Sequence, residues 1–114
     1  MVRSLKIDNH QFGTKVGKHL RDFGRDPGKP ENRVWIKGYI EDIYLNPTEI
    51  RDGTFAGQGD LLPDGSHARG PVWFYAQGSD VIVVDKNDTF VTILKNGTTL
   101  NTSYLNATVL AGRP

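Results

Sequence analysis

The sequence predicts an α+β domain in which two N-terminal helices pack on one face of a four- to five-stranded antiparallel meander sheet. Three observations predict it. Apolar residues recur at helical spacing through the first part of the chain, the period becomes strand-like after Pro47, and the strand-like runs are separated by turn clusters too short for anything but hairpins. With 114 residues and 37% hydrophobic content, residues 1–114 can build one packed core but hardly two, so a single domain is expected.

The first helix is expected from about Phe12 or Thr14 to Phe23, because Phe12, Val16, Leu20 and Phe23 fall on one face. Gly24 caps it, and Asp26-Pro27 and Pro30 prevent its continuation. Gly13 and Gly17 each lower helix propensity by ~1 kcal/mol relative to alanine, so tertiary packing must hold the helix. The second helix carries Ile36, Tyr39, Ile40 and Ile43 at i, i+3, i+4 and i+7, with Trp35 flanking and Asn46-Pro47 as its stop. Aromatic residues at that spacing read as packing rather than as a platform for bases.

Strands are expected over Ile50 to Ala56, Val72 to Ala76, Val81 to Val84, Phe90 to Lys95 and about Thr99 to Leu105. Gln77-Gly78-Ser79-Asp80 and Lys86-Asn87-Asp88-Thr89 read as hairpin turns, and Asn96-Gly97 reads as a type I′ turn closing a third hairpin. The stretch from Gly57 to Gly70, with four glycines, Pro63 and His67, has no periodicity and reads as a long loop. The helices are then expected to cover one sheet face and leave the other partly open.

Composition narrows the chemistry. Cysteine is absent, which removes disulfides and thiolate metal sites. The three histidines, at 10, 19 and 67, have no ligand spacing, and no glycine-rich phosphate loop opens a helix, so neither metal nor cofactor is expected. No apolar run approaches the ~20 residues of a membrane span or the apolar segment of a signal peptide. Export would then need a larger carrier. The four Asn-x-Ser/Thr sequences at Asn87, Asn96, Asn101 and Asn106 read as polar turn and strand residues.

Net charge is only +1, but residues 1–37 hold nine Lys or Arg against four acids, while the remainder is acidic. A local positive field of this kind suits phosphate better than a high overall charge would, because fields decay over ~8 Å at physiological salt. Within the basic part, Lys18-His19-Leu20-Arg21-Asp22-Phe23-Gly24 sets an imidazole among cations. With an ordinary pKa of ~6.5, histidine can accept a proton in one step and return it in the next. On the helical wheel His19 is expected at the rim of the apolar stripe, half buried at most. Downstream, Phe90-Val91-Thr92-Ile93-Leu94-Lys95 offers a hydroxyl in mid-strand and an ammonium at the strand's end. In a regular strand Thr92 shares its face with Phe90 and Leu94 while Lys95 points away. For Thr92 and Lys95 to serve one cleft, either Phe90 and Leu94 pack at its border or a bulge or strand end redirects Lys95.

The order of these pieces resembles a known family. Lys18-His19-x-x-Asp22-Phe23-Gly24, then Gly53-Thr54-Phe55, then Val81-Ile82-Val83-Val84-Asp85 running into Phe90-Val91-Thr92, is similar to the C-terminal nuclease domains of colicin D and of contact-dependent inhibition toxins, within the barnase, EndoU, colicin and RelE-like superfamily. The resemblance spans most of the chain. It implies a metal-independent endoribonuclease toxin that cleaves tRNA, often in the anticodon loop. It further implies export within a larger effector, action in the cytoplasm of a target bacterium and restraint by a cognate immunity protein, with the domain itself monomeric and not inserted in the membrane.

Residue by residue, the resemblance makes His19 the general acid or base and Thr92 the hydroxyl donor to the scissile phosphate. This chain has Leu94 where the colicin D pattern has an aromatic, and Val16 where that pattern has a lysine one turn before the histidine. Lys15 or Lys18 then supplies that charge. The implied reaction is attack of a ribose 2′-hydroxyl on its adjacent phosphate, giving a 2′,3′-cyclic phosphate and a 5′-hydroxyl. Lys18 joins His19 and Thr92 as catalytic candidates, with Lys15, Arg51 and Lys95 as RNA contacts. His67 and His10 are the remaining imidazoles for the second proton transfer. The alternative is a non-catalytic RNA-binding or protein-interaction module using the basic half or the exposed sheet, and an mRNA-cleaving RelE-like toxin is a third reading.

Overall fold

A computed structural model describes residues 4–114, apart from the side chains of Gln11 and Thr14. Arg3, counted in the basic half, lies outside the described residues. The chain forms α1 (Asn9–Asp22), α2 (Pro30–Leu45), β1 (Glu49–Phe55), β2 (Gly70–Gln77), β3 (Asp80–Asp85), β4 (Phe90–Leu94), two short helices α3 (Gly97–Leu100) and α4 (Thr102–Leu105), and β5 (Thr108–Val109). The sheet is antiparallel in the order β4-β3-β2-β1-β5. This is the expected α+β layout.

Helix α1 begins at Asn9, earlier than its apolar stripe suggested, with Asn9 and His10 polar and exposed. Asp8 opens it, its backbone carbonyl accepting from the Phe12 N–H at 2.8 Å and its carboxylate from the His10 N–H at 2.9 Å. Gly24 ends it at φ 69°, with the Arg25 N–H returning to the Leu20 carbonyl at 2.8 Å. Val16 and Leu20 are buried, and Phe12 and Phe23 pack beside them. Helix α2 starts with Pro30 in its first turn and buries Ile36, Ile40, Ile43 and Tyr44. Both helices lie against Ile50, Trp73, Tyr75, Ile82, Val84, Phe90 and Ile93 on one sheet face.

The opposite face is covered as well. Val72, Phe74, Ala76, Val81 and Val83 form a second apolar layer with Tyr104 of α4, so β2 and β3 are buried along nearly their whole length. This corrects the expectation of a partly open face. The reason lies in Thr99 to Leu105, which reads as a strand but falls within α3 and α4. Asn96 adopts a left-handed conformation at φ 56°, as a type I′ turn would require, but Gly97 then enters a helix and no third hairpin forms. A Cβ on Gly97 would lie 2.9 Å from Leu94 Cβ and 3.0 Å from Val81 Cγ2, so only glycine lets the chain turn this tightly onto the sheet. Asn101 then caps α4 by accepting from the Tyr104 N–H at 3.0 Å. The fifth strand is instead Thr108–Val109, which crosses back to pair with β1. A strict meander therefore ends at β4.

The long loop from Gly57 is partly ordered by its own backbone, with a bridge between Leu61 and His67. At the other edge of the sheet, residues beside β4 matter more. Lys6 bridges Thr89 in parallel, its N–H donating to the Asp88 carbonyl and its carbonyl accepting from the Phe90 N–H, both at 2.8 Å. Farther along, β4 forms the edge. Its register with β3 slips so that Val83 pairs with Thr92 but Val84 pairs with Phe90, leaving Val91 as the extra residue of a bulge. Phe90 consequently joins the α1 side of the sheet, while Val91 and Leu94 join the Tyr104 side.

Candidate functional site

A cleft of about 380 Å³ runs over this free edge. Helix α1 supplies Lys18, His19 and Asp22; β4 and the residue after it supply Thr92, Ile93, Leu94 and Lys95; Gly97, Leu100 and Asn101 close the far side. The three catalytic candidates and Lys95 therefore meet in one place, although they come from segments more than 70 residues apart.

His19 is more deeply set than its place on the wheel suggested, with only 5% of its surface exposed. Phe12, Val16 and Phe23 all project within about 60° of it around the helix axis, so the ring follows the stripe inward. There it meets Phe90 edge to face, with centroids 6.2 Å apart at 74°. Neither ring nitrogen has a hydrogen-bond partner among the described residues. Burial pushes the imidazole pKa below its ordinary value; the Asp22 carboxylate opposes this, and the Lys18 and Lys15 ammonium groups reinforce it. Burial thus favours the neutral ring, and both of its nitrogens lie beneath the surface, so proton exchange with a group in the cleft requires the ring to shift toward it.

Register places Thr92 opposite Val83, hence on the Tyr104 side of the sheet rather than the α1 side. The bulge has separated it from Phe90. His19 and Thr92 share the cleft because β4 is the edge strand and the cleft wraps over it. Lys95 follows the last residue of β4 and returns toward α1, its Nζ 5.9 Å from the centre of the Phe23 ring. Thr92 and Lys95 thus keep the alternation of a regular strand, and they meet in one cleft because it wraps over the edge; the bulge at Val91 precedes both and redirects neither.

Two expected RNA contacts lie elsewhere. Lys15 is exposed one turn before His19 and borders a small recess with Asp8, Phe12, Phe90 and Val91. Arg51 sits on β1, separated from β4 by two strands. It pairs with Glu49 at 2.8 Å and stacks 4.1 Å from the centre of the Tyr104 ring. The Tyr104 hydroxyl donates to the same Glu49 carboxylate, which raises the phenol pKa to about 12, with its burial the larger cause, and lowers that of the carboxyl. Arg51 is thereby occupied in holding α4 against the sheet.

His67 and His10 stay outside the cleft. His67 Nδ1 lies 2.9 Å from the Gly59 carbonyl within the loop, and His10 is exposed at the start of α1. Among the described residues no three His, Asp or Glu side chains converge as metal ligands, and no helix is long and apolar enough to cross a membrane. Trp35 and Tyr39 stack on each other with Arg25 over Trp35 at 3.7 Å, as packing residues.

Asp22 and Asn101 are cleft residues that the sequence reading left without a role. Asp22 stood in the quoted motif. Asn101 was hidden because its segment read as a strand; an asparagine followed by Thr102 and Ser103, before the apolar Tyr104 and Leu105, is a helix-start signal that would have exposed it. Comparison of the chain with protein-family models, with curated proteins and with solved structures found no match.

Proposed function

We propose that the chain is a metal-independent endoribonuclease whose active site is the cleft between α1 and the edge of β4. One observation carries the reading: a buried, neutral imidazole with no internal partner faces a cleft that also presents two lysines and a threonine. Leaving buried polar nitrogens unpaired costs about 1–3 kcal/mol, and a swing of the ring toward the cleft to meet a substrate hydroxyl would relieve it.

In this mechanism His19 accepts the 2′-hydroxyl proton as O2′ attacks the adjacent phosphorus. Because the nucleophile is tethered to its target, orientation and charge stabilisation are the main demands on the protein. Lys18 and Lys95 offset the growing negative charge, and the Thr92 hydroxyl donates to a phosphate oxygen. The 5′-oxygen leaves and takes its proton from the solvent side of the cleft, where both lysines are exposed. The products are a 2′,3′-cyclic phosphate and a 5′-hydroxyl end.

The choice of tRNA as substrate, with cleavage in the anticodon loop, rests on the resemblance to colicin D-like toxin domains. So do the cognate immunity protein and delivery to a target cell within a larger effector. Incubating the protein with total tRNA in EDTA, beside His19→Ala, tests the reading. Discrete fragments with cyclic phosphate ends from the wild type, lost in the variant, support it. A mobility shift without fragments would overturn it in favour of a binding module.

A further inference from the structure

Asn101 lines the same cleft as His19 and Thr92, on the junction between α3 and α4. Its side-chain oxygen is already committed, since it accepts from the Tyr104 backbone N–H at 3.0 Å. An N–H can be met only by the oxygen of an amide, so the orientation of the group follows from chemistry. The remaining polar atom, Nδ2, carries two donor hydrogens and makes no hydrogen bond among the described residues. The half-buried residue lines the cleft, and the one uncommitted polar atom of its side chain is a donor.

The donor is rigidly mounted. The Asn101 backbone N–H donates to the Gly97 carbonyl at 3.1 Å, and Tyr104, to which its side chain is tied, is 2% exposed with its hydroxyl on Glu49. A neutral donor fixed before substrate arrives is the kind of group that stabilises charge developing on a phosphoryl oxygen without reorganising. It also complements the two cleft lysines, which are long and mobile where the amide is short and held.

We infer that Asn101 is a phosphate-contacting catalytic residue, donating from Nδ2 to a non-bridging oxygen as the phosphorus becomes five-coordinate. The inference deepens the ribonuclease reading and rests on it. Its capping duty and its donor duty can be separated, because serine caps a helix about as well as asparagine but its hydroxyl is too short to reach across the cleft.

The experiment compares wild type, Asn101→Ser, Asn101→Ala and His19→Ala on total tRNA, with kcat, KM and Tm measured for each. Asn101→Ser should keep the wild-type Tm and a KM within about threefold, while kcat falls on the order of 10²-fold, the usual effect of removing one preorganised donor. Asn101→Ala should show the same fall in kcat and a lower Tm as well. If Asn101→Ser retains kcat while His19→Ala abolishes cleavage, the role of Asn101 is overturned and the ribonuclease reading stands. Losses of kcat that merely follow losses of Tm would also overturn it, leaving a cap. Absence of cleavage by the wild type would instead remove the reading on which the inference rests.

Discussion

The Tyr39 hydroxyl donates to Asp80 Oδ2 at 2.5 Å, and Asp80 Oδ1 accepts from the Asn96 N–H at 2.9 Å. One carboxylate thus joins the middle of α2 to the left-handed residue that follows Lys95. Burial and the adjoining carboxylate raise the phenol pKa well above its ordinary value, so the tyrosine remains a donor across the physiological range.

Removing this link should loosen the floor of the cleft. Tyr39→Phe should lower stability by about 1–2 kcal/mol, and Asp80→Ala by more, since it deletes both bonds. In urea denaturation the double variant should fall short of the sum of the two. Full additivity would show that the two groups are not coupled.

The depressed pKa of His19 makes stability depend on pH. Below ~6.5 the unfolded chain binds a proton that the folded chain refuses, so stability falls as pH drops until the lower folded pKa is passed. His19→Leu removes both the titration and the unpaired nitrogens. The variant should equal or exceed the wild type in urea midpoint at pH 7, with its advantage growing toward pH 5, while cleavage is lost. Parallel pH curves for the two proteins would contradict this.

Catalysis should report the same group. With His19 as base, kcat/KM should be flat through neutrality and decline only on the acid side, with an inflection below the ordinary imidazole value. Activity that instead declined as pH rose through neutrality would require a protonated imidazole as the essential form, and the base assignment would be withdrawn.

The cations divide by position. Lys95→Ala and Lys18→Ala, in the cleft, should each lower kcat/KM on the order of 10-fold or more with little change in Tm. Arg51→Ala should do the reverse, lowering Tm through the lost contacts with Glu49 and Tyr104 while leaving kcat near wild type. Equal losses of activity for Arg51 and Lys95 would mean that RNA contacts extend to β1.

Gly97→Ala tests the turn itself. The added methyl would overlap Leu94 and Val81, so a loss of about 1–3 kcal/mol is expected, together with reduced cleavage because α3 carries one wall of the cleft. A variant of wild-type stability would show that the segment can shift freely.

Much of this was legible in the sequence because local signals agreed with tertiary demands. The stripe of Phe12, Val16, Leu20 and Phe23, the Ile36 to Ile43 repeat and the first four strands all landed near their expected positions. What escaped was governed by contacts between distant residues. Thr99 to Leu105 has strand-like composition, yet Gly97 fits only a turn against Val81, and the Asn101 cap then favours helix. The bulge at Val91 leaves no local mark, so the separation of Phe90 from Thr92 could not be read from alternation alone. The depth of His19 escaped as well, because Phe90, its covering ring, is supplied by another element.

The second roof over the sheet, formed by Tyr104 and its helix, constrains how any nucleic acid could approach. Flat β-surfaces that read single strands do so by letting bases lie on bare aromatic rings. Here Phe74 and its neighbours are already covered, so among the described residues this face offers no bare aromatic platform. On the proposed reading, a polynucleotide would then meet the protein at the rim of the sheet, where the cleft crosses β4.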